Sequence, residues 1–342
     1  MATVFATSPI RSILVLETSQ FGSALALLPA VRALRASYPK ALLVAATSTG
    51  ICELLNASAL VDDTIELKAI KSPNPEYFDS LKRLAALIKG TRRYNFDLVL
   101  DFSPRLETQI ASRLILRSRT ITPSRPSRVI ELLIGWAGAK FIRQSGSSKY
   151  DNVLSQAGVD FDDTSVRVEV PEQEHARFEQ RLVKAGSRGG ELLALLHSSN
   201  PNDTSSWPVG SFAELAGRLS NTFGARIIAV DEPSDRTFTD ALTPLLPAGA
   251  IRLVEPSAFE FVAAIARASL VITDQTMVAR IASEMGTPAI EIADTIASRI
   301  ASTAEHRVLE GPSRKRVTPD EAYEAACEMI HKSRSPGLFQ RR

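Results

Sequence analysis

Three polar clusters in the chain have the composition of sites that handle phosphate or sugar. The first is the turn "ETSQFGS". Glu17 ends an apolar run, Gly22 permits a tight reversal, and the amides of residues 22–25 open a helix, where an anion is favoured. The second is "LLHSSNPNDTSSWPVGSFAEL", with His197, Asn200, Asp203, Thr204, Ser205, Ser206 and Trp207. That set can hydrogen-bond a phosphate or a sugar, although a hydroxyl-rich stretch is also what a long turn looks like. The third is "TDQTMVARIASEMGTP". Asp274, Gln275 and Thr276 stand at a helix start, and Arg280, one turn in, can add a guanidinium to the backbone amides around a phosphate. A further loop, "DFSPRLET", carries Asp101, Ser103 and Arg105. Asp101 is the candidate there, with a solvated loop as its plainer role.

Each cluster follows a short apolar run. In the first half these runs are residues 12–18, 41–47, 63–69 and 97–103; in the second they are 191–199, 225–231, 251–255, 269–274 and 288–294. Amphipathic stretches separate them. Leu25, Leu28, Val31 and Leu34 keep near-helical spacing, with Pro29 either in the first turn or kinking the helix. Phe78, Leu81, Leu84 and Leu87 form another stripe, ending at Gly90. Three Ser/Thr-x-x-Glu pairs read as capping boxes: Ser211 with Glu214, Ser257 with Glu260, and Thr318 with Glu321. This alternation predicts an α/β fold of two doubly wound domains facing each other across a cleft, with ligands at the carboxyl ends of the strands. The charged segment "PEQEHARFEQRLVKAGSRGG" separates the halves. The expected division is residues 1–170, a hinge over 171–190, and residues 191–342, with the last helix packing back on the first domain.

Lys plus Arg total 40 against 38 for Asp plus Glu in 342 residues, a net charge of +2. That balance argues against nucleic acid as a partner. "PSRKR" at 312–316 and the terminal "FQRR" read as solvated charges, with docking to an anionic surface as the minority reading. The two cysteines, Cys52 and Cys327, lie far apart, which excludes a disulfide framework, and no cluster has metal-ligand spacing. No run approaches the roughly 20 apolar residues that span a bilayer, and the first residues lack a signal-peptide pattern. A cytoplasmic protein is expected. Neither G-x-G-x-x-G nor G-x-x-x-x-G-K-[ST] occurs, so a nicotinamide-dependent oxidoreductase and a P-loop enzyme are disfavoured.

Four stretches carry a family resemblance. "ILVLETSQFGSALALLPAVRALRASYP", "YNFDLVLDF", "LLHSSNPNDTSSWPVGSFAELAGRL" and "ARASLVITDQTMVARIASEMGTPAIEI" resemble, in order, motifs of the family-9 glycosyltransferases, the ADP-heptose:lipopolysaccharide heptosyltransferases. "RVTPDEAYEAA" resembles the family's closing helix. The resemblance runs from about Ser12 to about Ile330 and implies a GT-B fold of two Rossmann-like domains.

It also implies inverting transfer of a sugar from a nucleotide donor, ADP-linked, held by the second domain. The acceptor, a saccharide or lipid-linked saccharide, is held by the first, placing the protein at most peripherally on the inner membrane's cytoplasmic face. No cofactor is implied beyond the donor as co-substrate. On the family's pattern, the general base falls on Ser23 and a basic strand-end residue on Glu17. The phosphate-contacting Lys falls on Ser205, the Asp-Thr-Gly on Gln275, Thr276 and Met277, and a His on Arg280. Gly22, Asp101, His197, Trp207, Thr276 and Gly286 keep the family's identities. The expected donor site is therefore Gly22, His197, Thr204, Ser205, Ser206, Trp207, Gln275, Thr276, Met277 and Arg280. Asp101 and Arg105 lie on the acceptor side. Glu17 replaces the lost carboxylate as base, beside Ser23, and Arg280 supplies positive charge. The alternative is a catalytically inactive relative that binds or scaffolds.

Overall fold

Strands β1 (Ser12–Leu16) and β7 (Leu193–His197) are apolar along almost their whole length and buried at every residue. Such runs, covered on both faces, belong to parallel sheets rather than to alternating half-exposed strands. The computed structural model describes residues 10–19, 21–67, 85–102, 108, 119–122, 139–141, 149–161, 168–198, 206–233, 236–294 and 306–334. By internal contacts the chain divides into two units, residues 1–166 and 167–342.

The first unit holds β1, β2 (Leu42–Thr47), β3 (Asp63–Glu66), β4 (Leu98–Asp101), β5 (Arg119–Thr122) and β6 (Ala139–Phe141). All pairs are parallel and the order is β3-β2-β1-β4-β5-β6. Its described helices are α1 (Phe21–Ala24), α2 (Leu27–Ser37), α3 (Thr49–Ala57), α4 (85–91) and α5 (Lys149–Gln156). Pro29 lies in the first turn of α2, where its missing amide costs nothing. The expected stripe at Phe78, Leu81 and Leu84 lies outside the described residues; Leu87 is buried on α4.

The second unit holds β7, β8 (Arg226–Val230), β9 (Ile251–Leu253), β10 (Leu270–Thr273), β11 (Ala289–Asp294) and β12 (His306–Gly311), in the order β12-β11-β10-β7-β8-β9. Numbered within each unit, the two sheets have the same winding. The strand order therefore reverses beside the first strand of each unit, at β1/β4 and at β7/β10, where doubly wound sheets open a crevice. The helices are α6 (Glu172–Lys184), α7 (Val209–Phe223), α8 (Thr237–Leu242), α9 (Ala258–Arg267), α10 (Thr276–Glu284) and α11 (Pro319–Arg334).

Helix α7 buries Phe212, Leu215, Ala216 and Leu219, one stripe of a 3.6-residue period, and ends at Gly224 with φ 62°. A non-glycine residue at that φ would carry strain. The capping box forms at Ser257–Glu260, and Thr318 and Glu321 exchange the same bonds. Ser211 is not a cap. The helix begins two residues earlier, after Pro208, whose carbonyl accepts from the Ser211 and Phe212 amides. Helix α6, expected in a hinge, packs on α9 within the second unit. Arg181 on it reaches Glu260 and the Val254 carbonyl. Helix α11 packs on α7 and on β10–β12, enclosing a core around Trp207, Phe212, Ile290 and Ile292.

Candidate functional site

The carboxyl edge of the second sheet gathers most of the expected donor residues. Pairing of β7 with β10 sets His197 beside Thr273. The Thr273 hydroxyl oxygen accepts from the Gln275 amide at 3.0 Å and lies 3.1 Å from His197 Nδ1. With one proton and two lone pairs, the Thr273 hydroxyl satisfies both contacts in either tautomer of the ring. His197 is fully buried, and burial drives its pKa down to about 3, so the imidazole is neutral. Among the described residues Nε2 has no hydrogen-bond partner; Glu232, buried just beyond β8, places a carboxylate oxygen 3.8 Å away. His197 is thus part of the frame and brings no charge to an anion.

Asp274 is the knot of this edge. It is fully buried, and Oδ2 accepts from the Ser198 hydroxyl at 2.9 Å and the Trp207 amide at 3.2 Å. The Gln275 side-chain amide approaches Oδ1 at 3.4 Å. Burial raises its pKa, and the positive charge of Arg314 opposes that rise. The indole of Trp207 in turn donates to the Val317 carbonyl at 2.8 Å. The ends of β7 and β10, the turn at 206–208 and the segment after β12 are therefore tied together.

Helix α10 starts at this knot. Gln275 precedes it without a side-chain cap, and Gln275, Thr276, Met277 and Arg280 are all partly exposed. The Thr276 hydroxyl bonds Glu291, and Arg280 Nη1 lies 3.8 Å from Met277 Sδ. The start of a nine-residue helix with a guanidinium one turn in is suited to an anion. Ser206 is buried at the same edge. Thr204 and Ser205 lie outside the described residues.

At the corresponding edge of the first sheet, Glu17 follows β1 with no exposed surface. Its amide donates to the Ala46 carbonyl, and its carboxylate accepts from the Ser19 amide at 2.8 Å and the Tyr150 hydroxyl at 2.5 Å. Tyr150, on α5, stacks on Phe102 with ring centroids 4.8 Å apart. Leu16 is paired with Asp101, so strand alternation puts Glu17 and Phe102 on one face and Asp101 on the other. The two carboxylates end neighbouring strands yet point apart. Gly22 is buried in α1, and Ser23 lies in the same short helix. Arg105 lies outside the described residues.

Tyr150, Arg314, Glu232, Glu291 and His306 did not figure among the expected site residues. Arg314 carried only its place in the basic cluster "PSRKR", since the strand before it, β12, is not among the expected apolar runs. Glu291 carried a readable signal, being a carboxylate inside the buried run "AIEIAD". Tyr150 carried none, because only the fold brings it to Glu17.

The comparisons agree with this architecture. No curated protein sequence matches the chain. A family-9 glycosyltransferase from Veillonella parvula is 15% identical and superposes with a TM-score of 0.70, over 96% of this chain and 100% of its own. The E. coli ADP-heptose lps heptosyltransferase II is 14% identical with a TM-score of 0.61, over 94% and 99%. E. coli heptosyltransferase WaaC, solved with ADP, is 16% identical with a TM-score of 0.59, over 94% and 98%. At such identities these likenesses establish the GT-B fold. The family description "Glycosyltransferase family 9 (heptosyltransferase)" matches residues 84–300, which is more than half of the sequence. The chain belongs to glycosyltransferase family 9, the heptosyltransferases.

Proposed function

We propose that this protein is an inverting glycosyltransferase that binds a nucleotide sugar, ADP-linked by kinship with WaaC, at the carboxyl edge of its second sheet. The observation that carries the reading is Asp274 drawing Ser198 and Trp207 together where α10 begins, with Arg280 and Arg314 beside that start. Helix-start amides and two guanidiniums suit a diphosphate. In the reaction, a base takes the proton of an acceptor hydroxyl and that oxygen bonds the anomeric carbon. The bond from this carbon to the nucleotide's terminal phosphate oxygen breaks, and the diphosphate leaves with its electron pair. The two arginines stabilise the leaving charge.

The acceptor saccharide is assigned to the first unit, with Glu17, buried at the end of β1, as the proposed base. To act, it exchanges its bond from Tyr150 for one from the acceptor hydroxyl. A lipid-linked acceptor requires contact with a membrane surface; among the described residues no helix is long and apolar enough to cross one.

The test is a thermal-shift titration with ADP, ADP-heptose and other nucleotide sugars, coupled to a measurement of ADP release in the presence of acceptor. A ligand at 100 times its Kd raises stability by about 2.7 kcal/mol. No shift with any nucleotide sugar at millimolar concentration sinks the proposal.

One observation favours a second reading, a family member that binds without transferring. Glu17 is wholly buried, with described bonds from Ser19 and Tyr150, and a serine stands where the resemblance implies the base. This reading predicts a thermal shift with nucleotide and no ADP release with any acceptor.

A further inference from the structure

A chain of three side chains runs inward from partly exposed Thr276 at the start of α10 to two buried residues. Glu291 and His306 stand on β11 and β12 and are 1% and 2% exposed. Ala289 pairs with His306, so alternation puts Ala289, Glu291 and His306 on one face; Ile290 and Ile292 face the core under α7 and α11. On the first face, His306 Nε2 lies 2.9 Å from Glu291 Oε2, and Glu291 Oε1 receives the Thr276 hydroxyl. The Thr276 hydroxyl donates to Glu291, so its proton points inward.

That direction has a consequence for the helix start. The first-turn amides of a helix have no acceptor within the helix. At α10 the first amides to find one are those of Val278 and Ala279, both on the Gln275 carbonyl. With its hydroxyl proton held by Glu291, Thr276 presents its backbone amide and a hydroxyl lone pair, not a hydroxyl donor, to an incoming anion. The anchoring uses other partners than the Asp274 knot, which is held two residues earlier by Ser198 and Trp207. One edge is thus fixed from two sides.

We propose that Glu291, supported by His306, is a positioning residue. It pins the Thr276 side chain and with it the first turn of α10, so that the orphan amides face the donor's diphosphate. The inference rests on the donor reading given above. Glu291 does not touch the ligand; it acts through Thr276.

Two measurements on the full chain test it. Amide hydrogen exchange reports the first turn of α10 directly, with or without ligand. In Glu291→Ala, exchange at Val278 and Ala279, the first bonded amides of the turn, is expected to rise about tenfold or more while the rest of the second sheet is unchanged. Glu291→Gln, which keeps an acceptor for Thr276, is expected to restore near-wild-type exchange. ADP affinity follows the same order, about 2- to 13-fold weaker in Glu291→Ala and largely rescued in Glu291→Gln. Unchanged first-turn exchange in folded Glu291→Ala overturns the proposal. So does tighter ADP binding in Glu291→Gln, which would mean that the carboxylate acts by its charge. If Glu291→Ala does not fold, Thr276→Val breaks the same bond from the other end and must show the same local rise. Wild-type protein that fails to bind ADP defeats the donor reading instead, and the exchange arm then decides the positioning on its own.

Discussion

Tyr150 and Glu17, 133 residues apart in the chain, form a hydroxyl-to-carboxylate bond in the interior of the first unit, at the carboxyl end of β1. The bond holds the turn that leads into α1, because the same carboxylate also accepts from the Ser19 amide. The catalysis proposed for Glu17 and the stability of this turn therefore draw on the same two oxygens.

Substituting Glu17 separates those roles. If it is the base, Glu17→Gln should lower the transfer rate by about 10²–10⁴-fold while leaving ADP affinity unchanged. Turnover assays with a cognate donor and acceptor decide the matter, and full activity in the variant removes Glu17 from the chemistry. Tyr150→Phe should cost stability by about 1.5–3 kcal/mol, the range for a bond to a charged group, read by urea denaturation.

His197 makes stability pH-dependent. Its folded pKa is lowered from 6.5 to about 3, so the unfolded chain binds the proton first as pH falls. The neutral ring's contribution is complete above pH 6.5 and is lost progressively between 6.5 and 3. The slope attributable to it is at most about 1.4 kcal/mol per pH unit. Urea denaturation at pH 7.5, 6 and 5 should show the decline, and His197→Gln should flatten it. Glu191, held down to about 2 chiefly by its bond from Arg226, adds its own loss only below 4.5, outside that range.

Trp207 links the centre of the second sheet to the segment after β12. Trp207→Phe keeps most of the ring volume but leaves the Val317 carbonyl without its described donor, an expected cost of about 1–3 kcal/mol. Trp207→Ala adds a cavity and should cost about 3–5 kcal/mol. Equal destabilisation by the two variants would show that the indole hydrogen bond, not the volume, dominates.

The two arginines at the proposed donor edge should act on binding rather than on folding. Arg280→Ala and Arg314→Ala are each expected to weaken ADP affinity by about 1.5–3 kcal/mol, the range for hydrogen bonds to charged groups. Titration calorimetry measures both. An unchanged affinity in Arg314→Ala would return "PSRKR" to the role of solvated charge.

The alternation of apolar runs and amphipathic stretches made the two parallel sheets legible, because strands buried on both faces have no other way to be written. Ser257 and Thr318 were equally readable as caps, since a capping box is local. Ser211 was not, because Pro208 starts its helix earlier and the same four-residue pattern falls inside it. Strands β5 ("RTIT"), β6 ("AKF") and β12 ("HRVLEG") escaped notice. They are short and mixed in polarity, and pairing with a neighbour defines them. The site divides in the same way. Asp274, Thr276 and Arg280 could be placed by their position after a strand, whereas the partners that fix them, Arg314, Glu291 and His306, come from later in the chain.

The bond from Trp207 to Val317 also bears on the order in which the protein is made. Residue 207 leaves the ribosome more than a hundred positions before residue 317, the separation across which the two are joined being 110. The first unit can fold as soon as it emerges, since domains fold as units during synthesis. The second cannot seat Trp207 until β12 and the turn beyond it have appeared. A nascent chain halted before that point would expose an indole and a half-built core, an interval in which a chaperone would have apolar surface to bind.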